Sequence, residues 1–292
     1  MSRLKVLKTY KIYIGGKFPR TESGRFYTPL NKEGEQIGNI CLSSRKDARN
    51  AIVAARKAFG DWSERTAFNR SQILYRIAEM LEGRRAQFVS EMEMQGISSK
   101  MADAEVDASI DRLIYYAGWC DKYQQVLGSV NPVASSHFNF SALEPMGIVG
   151  VLPDENSALL GLVTAIAPII AGGNTVLVVV SEELPLCAIT FAEVLATSDV
   201  PGGVVNIITG KRSELIKPIV THMDVNAMVY YGDDKSIVKN LEEEATHNLK
   251  RIRVYEEIDL LKSEGLHYIS DCQEVKTTWH PIENIGGASS SY

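Results

Sequence analysis

The sequence predicts an α/β protein built on a doubly wound parallel sheet, and three observations lead there. From residue 147 onward, short and largely apolar runs recur at 147–152, 175–180, 204–208, 228–231 and 252–254. Helix-length segments separate them, at 158–171, 186–197, 214–222 and 234–249. The runs lack the in-out alternation of a one-sided sheet, so both of their faces need cover, as parallel strands do. Parallel strands also need long crossovers, and the intervening segments have that length. Architecture of this kind assigns no function by itself.

Ahead of the rhythm lie a candidate hairpin and three helical stretches. KIYIGGKF at 11–18 alternates around a Gly15-Gly16 turn and reads as the hairpin. Residues 44–62 begin on a capping-type serine and put Ala51, Ile52, Ala55 and Phe59 on one face. Residues 63–94 space Ile73, Ile77, Met80, Leu81 and Phe88 as a helix does, and 99–127 do the same with Ile110, Leu113, Ile114 and Ala117. At 138–143, Phe138, Phe140 and Ala142 alternate with Asn139 and Ser141, which predicts an exposed strand. After residue 254 the rhythm stops in a short charged stretch to 271. EVKTTWHP at 274–281 then reads as a final strand, and the Gly/Ser-rich 283–292 as a flexible tail.

Composition removes several function classes. A net charge of -5 offers no basic field for a phosphate backbone, so nucleic-acid binding is not expected. Cys41, Cys120, Cys187 and Cys272 are scattered without a CxxC pair, which predicts free thiols in a reducing, cytoplasmic setting. Cys187 stands at a predicted helix start, where a dipole lowers a thiol pKa, yet the expectation for all four is a small core or surface residue without a catalytic role. The five histidines are equally dispersed, so no metal site is expected. Residues 1–10 are basic without an apolar core, unlike a signal peptide. The uncharged run from 157 to 180 has membrane-span length, but Pro168 and the Gly172-Gly173-Asn174 turn divide it into a buried helix and a buried strand.

Several segments, in order and spacing, resemble the NAD(P)-dependent aldehyde dehydrogenase superfamily. They are YIGGKF at 13–18, EPMGIVGVLP at 144–153, GGNTVLVVVSEELPL at 172–186, PGGVVNIITG at 201–210, NLKRI at 248–252 and EVKTTW at 274–279. The resemblance implies a Rossmann-like coenzyme domain over 1–254, with N-terminal helices and a β oligomerisation arm near 130–145 that 274–282 closes. It also implies a catalytic domain between residues 254 and 274. Only 20 residues separate Arg253 from Glu274, whereas one βαβ unit takes about 30. The stretch 255–273 is therefore expected as a short linker, and the family's nucleophilic cysteine has no counterpart.

Position by position, the resemblance leaves a depleted site. Asn156 stands where the family's oxyanion-stabilising asparagine is expected, in a segment one residue longer. Glu182 matches the ribose-binding glutamate, while Val179 replaces its lysine partner. Gly210 keeps the first glycine of a Gly-x-Gly turn, and Arg212 replaces the second. Gly232 is kept in the phosphate turn, but Asp233 replaces the serine that meets the pyrophosphate. Two like charges about 4 Å apart repel by roughly 4 kcal/mol near a protein surface. Tyr255 stands at the general-base position. Weak NAD(P) binding at best is expected, with no catalysis.

The resemblance extends to the degenerate second unit of tandem, family-sixteen aldehyde dehydrogenases. It implies a scaffold or regulatory subunit that meets a full-length aldehyde dehydrogenase, or a copy of itself, through arm strands 138–143 and 274–279. Two rivals are an active NAD(P)-dependent aldehyde oxidoreductase and a homo-oligomeric structural protein.

Overall fold

The computed structural model describes residues 6–282. The expected tail at 283–292 lies outside the described residues. Three short strands, β1 (Thr9–Tyr10), β2 (Phe26–Tyr27) and β3 (Asn39–Cys41), make a small sheet ordered β1-β3-β2. Helix α1 (Arg45–Ser63) follows with a capping box, in which Ser44 and Asp47 satisfy each other's backbone amides. Helices α2 (Ala67–Glu82), α3 (Arg85–Met94), α4 (Ser99–Trp119) and α5 (Tyr123–Leu127) come next. The single helix expected over 63–94 is thus two. It breaks at Gly83-Arg84, where the Arg84 guanidinium turns aside to Glu193 at 2.9 Å. Likewise the stretch expected over 99–127 divides at Cys120.

The predicted α/β rhythm is then met almost residue for residue. Strands β6 (Ile148–Leu152), β7 (Thr175–Val179), β8 (Val205–Ile208), β9 (Val225–Tyr231) and β10 (Arg251–Tyr255) alternate with α6 (Leu160–Ala171), α7 (Leu186–Ala196), α8 (Arg212–Val220) and α9 (Lys235–Ala245). All strand pairings are parallel, in the order β10-β9-β6-β7-β8. Successive side chains go to opposite faces. Val149, Val151, Val176, Val178, Ala227 and Val229 join one core with α2, α4, α6 and α7. Ile148, Leu152, Leu177, Val179 and Met228 join the other with α1, α8 and α9. The uncharged 157–180 run is explained by α6, buried at all twelve positions, and β7 behind it. No helix among the described residues is long and apolar enough to cross a membrane.

The expected hairpin at 11–18 is only a turn. Ile14 and Lys17 exchange backbone hydrogen bonds of 3.0 and 3.1 Å across Gly15-Gly16, whose φ values are 60° and 78°. Tyr13 then exchanges two 2.8 Å bonds with Ile207, closing the free edge of β8. An unpaired sheet edge next to this segment competes better than a two-stranded ladder.

The arm is a third, antiparallel sheet. Strand β4 (Ser129–Asn131), β5 (His137–Pro145) and β11 (Gln273–Pro281) lie in the order β11-β5-β4. The stretch 255–273 is more than a connector. It folds back as a cap whose short helix α10 (His267–Ser270) buries Tyr268 and Ile269. Carbonyls of the cap accept from Arg112 (Leu260, 2.8 Å) and Tyr116 (Gly265, 3.3 Å) of α4. Asp271 is its clasp. It receives the Tyr255 hydroxyl at 2.8 Å, lies 3.6 Å from the Arg253 guanidinium, and its carbonyl accepts from Arg251 at 3.3 Å. Those three residues alternate along β10 and so present one face to it.

Candidate functional site

In open parallel α/β sheets the ligand crevice lies beyond the carboxyl ends of the strands. Here the turns after β6, β7, β8 and β9 enclose a cleft of about 580 Å³, whose lining includes Glu155, Glu182, Arg212, Tyr230, Asp233 and Asp234. Helices α6, α8 and α9 start beside it. A helix start leaves several backbone N–H groups without intrahelical partners, which makes it an anion site by default.

In this chain its own carboxylates take those groups. Glu105, reaching over from α4, accepts at one oxygen from the Ser157 hydroxyl (2.5 Å) and the amides of Leu159 (2.7 Å) and Leu160 (2.9 Å) at the start of α6. Glu182 accepts from the Arg212 amide at 2.6 Å, the first residue of α8. Asp234 accepts from the amides of Ser236 (2.8 Å) and Ile237 (3.4 Å) in α9. The hydroxyl and amide of Ser236 hold the Asp234 carboxyl below the usual carboxylate range. The helix cap is thus Asp234, while neighbouring Asp233, singled out in the sequence, lines the cleft one residue earlier.

The Arg212 side chain fills the space that a second glycine would leave open. Its guanidinium is 5% exposed, lies 2.6 Å from the Glu155 carboxylate, and donates to the Pro153 carbonyl. Burial pulls its pKa down from the ordinary value, and the Glu155 charge opposes that shift. Glu155 also accepts from the Glu182 amide at 2.8 Å, so the turns after β6, β7 and β8 are tied into one polar network. Glu155 occupies the segment that is one residue longer than the pattern it resembles. The added length was the one available signal for it.

Asn156 is exposed and folds onto Asp154, which accepts its amide at 2.8 Å. Gly210 is buried where a Cβ would come within 3.0 Å of the Ser43 amide, itself bonded to the Thr209 carbonyl. Close approach of backbone explains the glycine without a ligand. At Gly232 a Cβ would sit 2.5 Å from the Tyr230 hydroxyl, so the phenol occupies the space that the turn leaves free. Tyr255 points into the cap, with ring centroids 4.7 Å from Tyr268 and 5.0 Å from Tyr231. Burial, then the bond to Asp271, raise its pKa and keep the phenol protonated.

The thiols follow the same physics. All four cysteines are buried. Burial raises Cys187 well above its ordinary value, against the lowering that a helix start suggested, because desolvation outweighs the dipole in a fully covered site. Cys120 and Cys272 are pushed up to about 12. Among the described residues no three His, Cys, Asp or Glu side chains are grouped to hold a metal ion.

Fold and cleft together define the class: a dinucleotide-fold domain of the dehydrogenase kind, with an antiparallel arm. The aldehyde dehydrogenase family model matches residues 18–255, and the chain belongs to that family. It is 31% identical over 245 residues to an aldehyde dehydrogenase of Aspergillus niger, covering 82% of this chain and 48% of that protein. With the mouse cytosolic 10-formyltetrahydrofolate dehydrogenase the identity is 29% over 261 residues, 86% of this chain and 29% of the relative. An aldehyde dehydrogenase of Bacillus cereus, solved as its NAD+ complex, superposes with a TM-score of 0.80 at 25% identity, covering 85% of this chain and 51% of that one. HpcC of Thermus thermophilus gives 0.80 at 27%, covering 85% and 48%. The chain spans about half or less of the length of these relatives. The matched half is the coenzyme-domain fold, as expected.

Proposed function

We propose that this chain is a non-catalytic aldehyde-dehydrogenase-like subunit that assembles through its arm with a full-length aldehyde dehydrogenase in the cytoplasm, as a scaffold or regulator. One observation carries the reading: the helix starts of α8 and α9 at the cleft, and that of α6 next to it, are each ligated by a carboxylate of the chain itself, Glu182, Asp234 and Glu105. A dinucleotide pyrophosphate would have to displace hydrogen bonds to charged groups, each contributing about 1.5–3 kcal/mol, and would meet Asp233 beside them. The residues present do not fit the coenzyme, so NAD(P) binds weakly at best on this reading.

The reaction centre points the same way. A thiol needs a lowered pKa and access to attack a carbonyl, and burial opposes both here. Between β10 and β11 the chain spends 17 residues, 256–272, on a cap that covers the sheet end. The arm nevertheless keeps its outer strand. A subunit of this design has a parallel in the tandem, family-sixteen enzymes, where a truncated unit works beside a catalytic one.

Affinity capture of the tagged chain from its native source tests the reading. A full-length aldehyde dehydrogenase is expected in the eluate, identified by mass spectrometry and by aldehyde-dependent NADH formation. A chain that elutes alone removes the partner. Calorimetric titration with NAD and NADP is expected to give no micromolar binding; such binding would restore the oxidoreductase alternative.

A further inference from the structure

The outer strand of the arm is complementary to itself. The Ile282 amide donates to the Ser136 carbonyl at 3.0 Å, and the same register pairs Pro281 with His137, Trp279 with Asn139 and Thr277 with Ser141. Hydrogen-bonded and non-bonded pairs alternate along an antiparallel ladder. The even-numbered residues of β11 therefore spend their main-chain groups on β5. Val275, Thr277 and Trp279 turn theirs to the open edge. Pro281 shares that parity and has no N–H to offer, which is the setting strands tolerate for proline. Side chains agree with this phase, since non-bonded pairs approach more closely: the hydroxyls of the facing pair Ser141 and Thr277 lie 2.8 Å apart.

Val275 is 67% exposed and Trp279 56% exposed on this edge, a combination that invites pairing with another strand. A second β11 laid antiparallel, with the two-fold axis at Thr277, sets Val275 opposite Trp279 of the second copy and Glu274 opposite its His280. All three outward N–H groups of each copy then find a carbonyl. Moving the axis to Trp279 puts Thr277 opposite Pro281 and loses a donor. Moving it to Val275 puts Trp279 opposite Asp271, which lies off the strand. An axis at Lys276 or Thr278 keeps every donor paired but sets Val275 opposite Thr277 or Pro281 instead of Trp279, and a register offset by a single residue sets outward groups against inward ones. Only the axis at Thr277 both pairs every donor and sets the two apolar side chains opposite each other.

We propose that β11 closes on β11 of a second copy of this chain around a two-fold axis at Thr277, forming a homodimer that a full-length partner must open. This rests on the reading of the arm as the assembly element, and it adds the register, the symmetry and the resting partner. Closed two-fold pairing also hides an edge that would otherwise extend into fibres.

Light scattering of the purified chain is expected to give twice the 32.2 kDa subunit mass at micromolar concentration. Thr277→Cys is expected to cross-link under mild oxidation, because facing bonded pairs stand about 5.5 Å apart, within disulfide reach. The native thiols are all buried and give little background. Val275→Cys is expected to stay uncross-linked, since its two copies are offset by four residues, about 13 Å. Trp279→Glu, checked by circular dichroism to be folded, is expected to run as a monomer. A monomeric parent chain, or cross-linking at 275 instead of 277, overturns the dimer. If that monomer still binds the enzyme captured from the native source, the subunit role stands and only the dimer falls. A cross-linkable dimer that captures no enzyme has the opposite meaning.

Discussion

The parallel sheet and the arm sheet bury their strands in opposite ways. Every residue of β6, β7 and β8 is buried, whereas seven of the nine residues of β11 are exposed. Strands covered on both faces gain their stability inside the chain. A three-stranded sheet open on both faces has little apolar burial to hold it together, so the arm depends on its rooting in the body and on whatever covers it. The difference separates two roles within one chain: a body that is stable by itself, and an appendage whose side chains are placed for something else.

Four measurements break or sharpen that contrast. Phe191 is fully buried in the core formed by α6 and α7. Phe191→Ala is expected to cost about 3–5 kcal/mol, read as a lower urea midpoint at unchanged slope; a loss below about 1 kcal/mol would mean the body is loosely packed. Glu105→Ala leaves the Leu159 and Leu160 amides and the Ser157 hydroxyl without their acceptor, with an expected cost of about 2 kcal/mol in the same measurement. No change would show that water replaces the carboxylate freely.

The third measurement is a pH profile. Lys250 sits at the root of β10, donates to the carbonyls of His222 and Val225, and is lowered by burial to about 8. Above that value the unfolded chain, with an ordinary lysine, binds more protons than the folded one, so stability rises with pH. Between pH 8 and 9 this contribution is expected to reach about 1 kcal/mol at most. Cys120 and Cys272, pushed up to about 12 in the fold, and Cys187 ionise first in the unfolded chain over the same interval and oppose it. The lysine is therefore read as a difference: the stability of the parent minus that of Lys250→Met is expected to grow with pH across this interval, and a constant difference would assign no such role to Lys250. The smallest effect is expected in the arm. Trp279→Ala should change monomer stability by less than about 0.5 kcal/mol, and a larger loss would place the indole in the fold's own core.

The body was legible because burial on both faces writes itself into a sequence as unbroken apolar runs. Strand β9 extends three residues before the expected 228, because Val225, Asn226 and Ala227 mix a polar residue into the run. The cleft was half legible. Losses at Val179, Arg212 and Asp233 stood in the sequence, but their consequence did not. Glu105 lies 52 residues before Ser157 in sequence and meets it only through the packing of α4 on α6, which no local pattern encodes. The cap was unreadable for another reason. Its fixed points are backbone carbonyls and a single aspartate, and these leave no periodicity.

Asp271 stands two residues before the outer strand and grips β10 through Tyr255, Arg253 and Arg251. Gln273 adds a bond of 3.1 Å from its amide to the Gly172 carbonyl at the end of α6. The arm is consequently no detachable handle. A pull along β11 is borne first by a ring hydroxyl, two guanidinium groups and a helix terminus, so tension at the edge of the molecule is delivered along β10 and to the amino side of the central sheet, where α6 ends.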